Sequence, residues 1–118
     1  MEKLSKQYKL LSKNDFSGLF GTKKIKKTNI IYSYVKSNNY NISRVGISVS
    51  RKVGNAVYRN LVKRLIRETF RKSPVKLNGY DILFVACPVK SKNGHLIEIN
   101  NQSLRNAISN LLLEISYL

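Results

Sequence analysis

The stretch RVGISVSRKVGNAVYRNLVKRLIRETFRK, residues 44–72, holds two kinds of backbone pattern and the break between them. Val45, Ile47 and Val49 fall on one side of an extended chain, and Gly46, Ser48 and Ser50 on the other. That alternation marks a half-buried strand. Gly54 interrupts it, and residues 55–72 then follow a helical period. With Arg59 at zero and about 100° per residue, Lys63 falls at about 40°, Arg67 at about 80°, Asn60 at about 100°, Arg71 at about 120° and Arg64 at about 140°. The opposite arc takes Val57, Tyr58, Leu61, Val62, Leu65 and Ile66. Pro74 closes the helix, because the residue before a proline is biased out of the helical region.

The helix has an apolar side to bury and a side of nearly unopposed cations. Arg59, Lys63, Arg67 and Arg71 repeat the i, i+4 spacing at which like charges destabilise a helix, and only Glu68 opposes them. Such a face calls for an external anion. The whole chain points the same way: its formal charge is +16 over 118 residues. Residues 1–76 carry 19 of the 22 Lys and Arg against three acids, while the remainder balances at zero. A field of that kind selects polyanions, with nucleic acid foremost among them.

Outward from this segment the other elements follow. A short helix capped by Ser12 or Asn14 carries Phe16, Leu19 and Phe20 and ends near Gly21. TKKIKKTN, residues 22–29, reads as a basic loop or frayed strand, and IIYSYV, residues 30–35, as a strand. SNNYN, residues 37–41, is a turn, so the strand after it is expected to pair antiparallel with its predecessor. YDILFVAC, residues 80–87, is apolar almost throughout and belongs inside the sheet, with Pro88 ending it. Residues 101–118 place Leu104, Ala107, Ile108, Leu111, Leu112 and Ile115 on one helical face. The expected architecture is a single domain over residues 1–118, an α+β sandwich in the order α-β-β-α-β-α.

Chemistry-bearing residues are sparse. His95, the only histidine, lies in the polar segment SKNGH, and the six acids are scattered with no metal-ligand spacing. No nucleophile and base pair can be nominated, no nucleotide-binding loop is present, and no cofactor bound by the protein is expected. Cys87 is the only cysteine and follows an apolar run, which suits a structural thiol in a reducing compartment. The N-terminal MEKLSKQYKLL has no signal-peptide pattern, so a cytoplasmic protein without a membrane partner is expected. Two features remain for RNA. Arg51, Lys52 and Gly54 precede the helix N-terminus, an end attractive to phosphate. Phe16 and Phe20 at i, i+4, with Tyr32 and Tyr34 of one strand parity, can offer rings to unpaired bases. Composition alone favours a core role for the two phenylalanines.

SVSRKVGNAVYRNLVKRLIRETFR resembles the protein subunit of bacterial ribonuclease P, whose signature is a GNAV-x-RN-R-x-KR-x-x-R segment on the central helix. Gly54, Asn55, Ala56, Val57, Arg59, Asn60, Lys63, Arg64 and Arg67 stand where that pattern wants them, and Leu61 departs from it where the family often has arginine. NDFSGLF, RVGISVS and DILFVA look like the family's first helix, second strand and last strand. The resemblance implies a small mixed sheet with a left-handed βαβ crossover. It implies that Arg51, Lys52, Asn55, Arg59, Asn60, Lys63, Arg64 and Arg67 face the ribonuclease P RNA subunit. It also implies that Phe16, Phe20, Tyr32 and Tyr34 line a cleft for the 5′ leader of precursor tRNA, against the core reading of the phenylalanines. Phosphodiester hydrolysis would reside in the RNA, with Mg2+ acting through it. The alternative is a ribosomal-protein-like module for structured ribosomal RNA, and a more distant one is an autonomous nuclease.

Overall fold

The computed structural model describes Leu19 and residues 23–118. Strand β1 (Lys23–Lys26) precedes β2 (Ile31–Ser37) and β3 (Arg44–Ser48). Helix α1 (Ala56–Lys72), strand β4 (Tyr80–Ala86), a hairpin of β5 (Val89–Lys90) and β6 (Leu96–Ile97), and helix α2 (Asn101–Ser116) follow. The main sheet runs β1-β2-β4-β3, with β3 parallel to β4 and the other pairs antiparallel. The α+β class and the interior place of β4 are as the sequence indicated. The antiparallel pairing of β3 with its predecessor is not, because β4 inserts between them. The apolar run of β4 can be buried on both faces, so the interior of the sheet is where it is most stable. The frayed basic stretch resolves into β1, and the short β5–β6 hairpin had no signal in the sequence.

Side chains of neighbouring strands line up in rows across the sheet. The helical side receives Ile25, Ile31, Val35, Val45, Ile82, Phe84 and Ala86, packed with Tyr58, Val62, Leu65, Ile66 and Phe70 of α1 and with all six predicted positions of α2. Helices α1 and α2 each begin on an asparagine cap: Asn55 Oδ1 accepts from Tyr58 N at 2.9 Å, and Asn100 Oδ1 from Ser103 N at 2.8 Å. At the far end of α1, Ser73 N donates to Phe70 O and Pro74 opens a short 3-10 turn.

The connection from β2 to β3 is tied to the start of β4. Asp81, 7% exposed, accepts from Arg44 Nε at 2.9 Å and Nη2 at 2.7 Å and from Asn38 Nδ2 at 2.9 Å. Ser43 Oγ donates to Val75 O and accepts from Tyr80 N. Gly79 adopts φ +73°, and a Cβ there would stand 2.3 Å from Tyr40 O, so only glycine fits. These contacts hold β3 against β4 where a tight hairpin would have held it against β2.

Candidate nucleic-acid interface

The cationic surface is built from the end of β3 and from α1. Arg51 and Lys52 are exposed on a 3-10 turn anchored by buried Val53. Gly54 is extended, and its lack of a side chain serves packing: a Cβ there would lie 2.7 Å from Tyr58 Cδ2. Tyr58 is buried and its Oη accepts from Ile99 N at 3.0 Å. Burial pushes the Tyr58 hydroxyl pKa up, opposed by the Ile99 N–H, so the group stays neutral at ordinary pH. The glycine that precedes the phosphate-attracting helix N-terminus thus first of all admits a ring. Asn55 spends its side-chain oxygen on the cap.

Along α1 the buried arc sits further round than the wheel suggested. Phe70, at about 20° and between Arg59 and Lys63 on the wheel, is fully buried. Arg59 and Lys63 therefore lie half-buried at the margin, while Asn60, Arg64 and Arg67 stand exposed at the crest. Val57, assigned to the apolar arc, is 80% exposed. Its wheel position of about 160°, beside Arg64, puts it on the outer side. Leu61, at about 200° on the wheel and so at the border of the apolar arc, is half-buried against the core.

Neutralisation is sparse. Arg59 Nε donates to Gly54 O at 3.1 Å, fastening the loop to the helix. Glu68 lies 3.9 Å from Arg64 and 3.4 Å from Arg105 of α2, so the only acid of α1 is shared between helices. Among the described residues, Arg51, Lys52, Lys63 and Arg67 have no carboxylate partner. A solvated helix face would mix signs; among the described residues this one is nearly all positive.

The second surface is the other side of the sheet. Register sets Lys24, Tyr34, Leu83 and Gly46 in one row and Lys26, Tyr32, Val85 and Ser48 in the next. Buried Leu19 packs on Leu83, with Tyr34 and Val85 partly buried around it. Phe16 and Phe20 lie outside the described residues. The Tyr32 and Tyr34 rings meet edge to face, 5.6 Å between centroids and 86° between planes. Burial raises the Tyr32 hydroxyl pKa, and Tyr34 and Cys87 add to it. Lys24 Nζ stands 4.2 Å from the centroid of Tyr32 and 6.0 Å from that of Tyr34, within cation–π range. Lys24 had no such place in the sequence reading, because only strand register brings it to the tyrosines.

Among the described residues no three His, Cys, Asp or Glu side chains gather to hold a metal ion, and no helix is long and apolar enough to cross a membrane. His95 is exposed in the β5–β6 turn. Cys87 is partly buried, its thiol pKa raised by burial and drawn back by Lys26 and Lys24.

Comparison with known proteins adds to this geometry. The Ribonuclease P family model matches residues 4–116. A ribonuclease P protein component from Clostridium kluyveri is 40% identical over 105 residues, covering 86% of this chain and 91% of that one. The solved RNase P protein of Staphylococcus aureus superposes with a TM-score of 0.71 at 28% identity, over 92% of this chain and 94% of the other. That of Thermotoga maritima gives a TM-score of 0.68 at 28% identity, over 89% and 96%.

Proposed function

The chain belongs to the ribonuclease P protein family, and from that premise we propose that it docks on the catalytic RNA through the cationic face of α1 and holds the 5′ leader of precursor tRNA on the tyrosine side of its sheet. The family is the protein component of an endoribonuclease whose catalysis lies in RNA, so the chain's partner is a ribonuclease P RNA. The observation that carries the docking half is the cationic crest of α1 and its preceding turn, where Arg51, Lys52, Lys63 and Arg67 have no carboxylate partner among the described residues although the i, i+4 spacing costs helix stability. The leader half rests on two phenol rings that meet edge to face on a sheet, a platform on which unpaired bases of any sequence can stack.

Residue by residue, Arg51, Lys52, Arg64 and Arg67 supply phosphate contacts from exposed positions. Arg59 and Lys63 do so from the margin of the buried arc, and Asn60 offers a neutral donor and acceptor beside them. Asn55 contributes mainly by capping the helix that presents the others. Tyr32 and Tyr34 stack leader bases, and Phe16 and Phe20 complete that cleft in this reading. Mg2+ enters through the RNA, where it would activate the attacking water and stabilise the leaving oxygen. A cytoplasmic location is part of the same proposal. The family match removes the support for the ribosomal-RNA alternative.

Reconstitution with the cognate RNA tests the proposal. Protein alone should leave precursor tRNA intact, and protein added to the RNA should raise cleavage efficiency and lower the Mg2+ requirement. RNA that cleaves equally well with and without the protein, at every Mg2+ concentration, would contradict it.

A further inference from the structure

The Lys24 ammonium is placed over the very rings assigned to leader bases. A π-face takes a cation or a base, but not both at once. Either Lys24 is a plug that the leader must displace at a loss, or it is a member of the site that changes partner. Three observations favour the second.

Lys24 is exposed and has no carboxylate partner among the described residues, where the rings are what its charge meets. The acid that register brings to this side of the sheet, Asp81, pairs across from Lys36 and Arg44 and is gripped by the Arg44 guanidinium at 2.9 and 2.7 Å. Among the described residues no anion therefore competes for the lysine. Its backbone is fixed by β1 directly opposite Tyr34, while Tyr32 stands in the neighbouring row. From that anchor a flexible four-carbon stem can swing the ammonium from ring to solvent.

We infer that Lys24 is a leader-binding residue specific to the single-stranded substrate: in the free protein its ammonium covers Tyr32, and when a base takes the ring the ammonium moves to a phosphate of the same strand. The inference rests on the leader reading above. The exchange keeps a cation–π contact until a stacking contact replaces it, and a phosphate contact is added. The ligand class is unpaired RNA, recognised by one base face and one neighbouring phosphate, without regard to sequence.

The test uses the reconstituted holoenzyme and measures Kd for precursor and mature tRNA across a salt series, for wild type, Lys24→Met and Lys24→Arg. Lys24→Met keeps the length and apolar stem and removes the charge. It should weaken precursor binding roughly fivefold at moderate salt and reduce the salt slope by about 0.7, the value of one single-strand phosphate contact. Mature tRNA should bind as before, Lys24→Arg should restore both affinity and slope, and thermal stability should be unchanged in either variant. A plug would behave in the opposite way: precursor binding by Lys24→Met as tight as wild type, or tighter, overturns the inference, as does an equal loss for mature tRNA. The two failures separate cleanly. A wild-type holoenzyme with no preference for precursor over mature tRNA defeats the leader reading and this inference with it. A wild-type preference that survives intact in Lys24→Met defeats the role of Lys24 alone.

Discussion

The crest of α1 and the tyrosine side of the sheet are built in opposite ways. On α1 the exposed cations stand apart from one another, with one acid shared between Arg64 and Arg105. Their attraction for RNA is long-ranged, screened by salt and indifferent to whether the strand is paired. On the sheet, Tyr32 and Tyr34 interlock at 86° with a lysine above them. Their attraction needs contact, and it needs a base free of a partner. A helix that sums charge suits a large structured RNA, and a short aromatic platform suits a single strand. In the proposed reading one small domain thereby distinguishes two RNAs without a sequence-reading element.

The largest expected effect falls on the cationic side. For about six phosphate contacts, raising salt from about 50 to about 200 mM should cost on the order of 10³ in affinity for the catalytic RNA. Replacing Arg59, Lys63 and Arg67 together by alanine should remove about half of that salt slope. A filter-binding or fluorescence titration at several salt concentrations measures both, and a flat curve for the wild type would erase the contrast between the two surfaces. Next in size is a stability effect on the sheet. Asp81→Ala strips Arg44 and Asn38 of their shared acceptor and should cost about 3 kcal/mol by urea denaturation, with β3 loosened from β4. Loss of precursor affinity in that variant beyond its loss of folded fraction would show that the platform depends on the clamp.

Tyr32→Ala should weaken holoenzyme binding to precursor tRNA by about 1–3 kcal/mol and leave mature tRNA and the catalytic RNA unaffected. Equal losses for precursor and mature tRNA would place Tyr32 outside any leader contact. The smallest effect is expected from Tyr58→Phe. It leaves Ile99 N without its acceptor and should cost about 1 kcal/mol in thermal or urea unfolding. Because the Tyr58 ring still fills the space beside Gly54, the cationic loop should hold its place and RNA affinity should not move. A drop in affinity for the catalytic RNA would mean that the hydroxyl, and not only the ring, positions Arg51 and Lys52.

What the sequence could show divides along the same line. The basic face of α1 was legible because a helix maps spacing directly onto direction, and Asn60, Arg64 and Arg67 are exposed where the wheel set them. The errors there were at the borders: Phe70 is buried among marginal cations and Val57 is out in solvent, since a wheel gives an angle and not the width of the partner packed against it. The sheet was legible only in parity. Tyr32 and Tyr34 share a side as two residues of alternate register must, but strand order is set by contacts distant in sequence. That β4 would enter between β2 and β3 followed from its burial on both faces and from the Asp81 clamp, whose partners are 37 and 43 residues away. The same remoteness hid Lys24, which meets Tyr32 only after β1 pairs with β2.

The separation of the two surfaces is tested most directly by a double comparison in one assay. Holoenzymes carrying either the Arg59, Lys63 and Arg67 triple alanine change or Tyr32→Ala are assembled, and two quantities are measured for each: affinity of protein for the catalytic RNA, and the ratio of precursor to mature tRNA affinity at saturating protein. The expected result is a crossed pattern. The triple variant loses affinity for the catalytic RNA while the ratio stays at the wild-type value once the complex is saturated, and Tyr32→Ala keeps the affinity and lowers the ratio. Both variants losing both quantities in the same proportion would contradict two separate RNA surfaces and point to a single shared one.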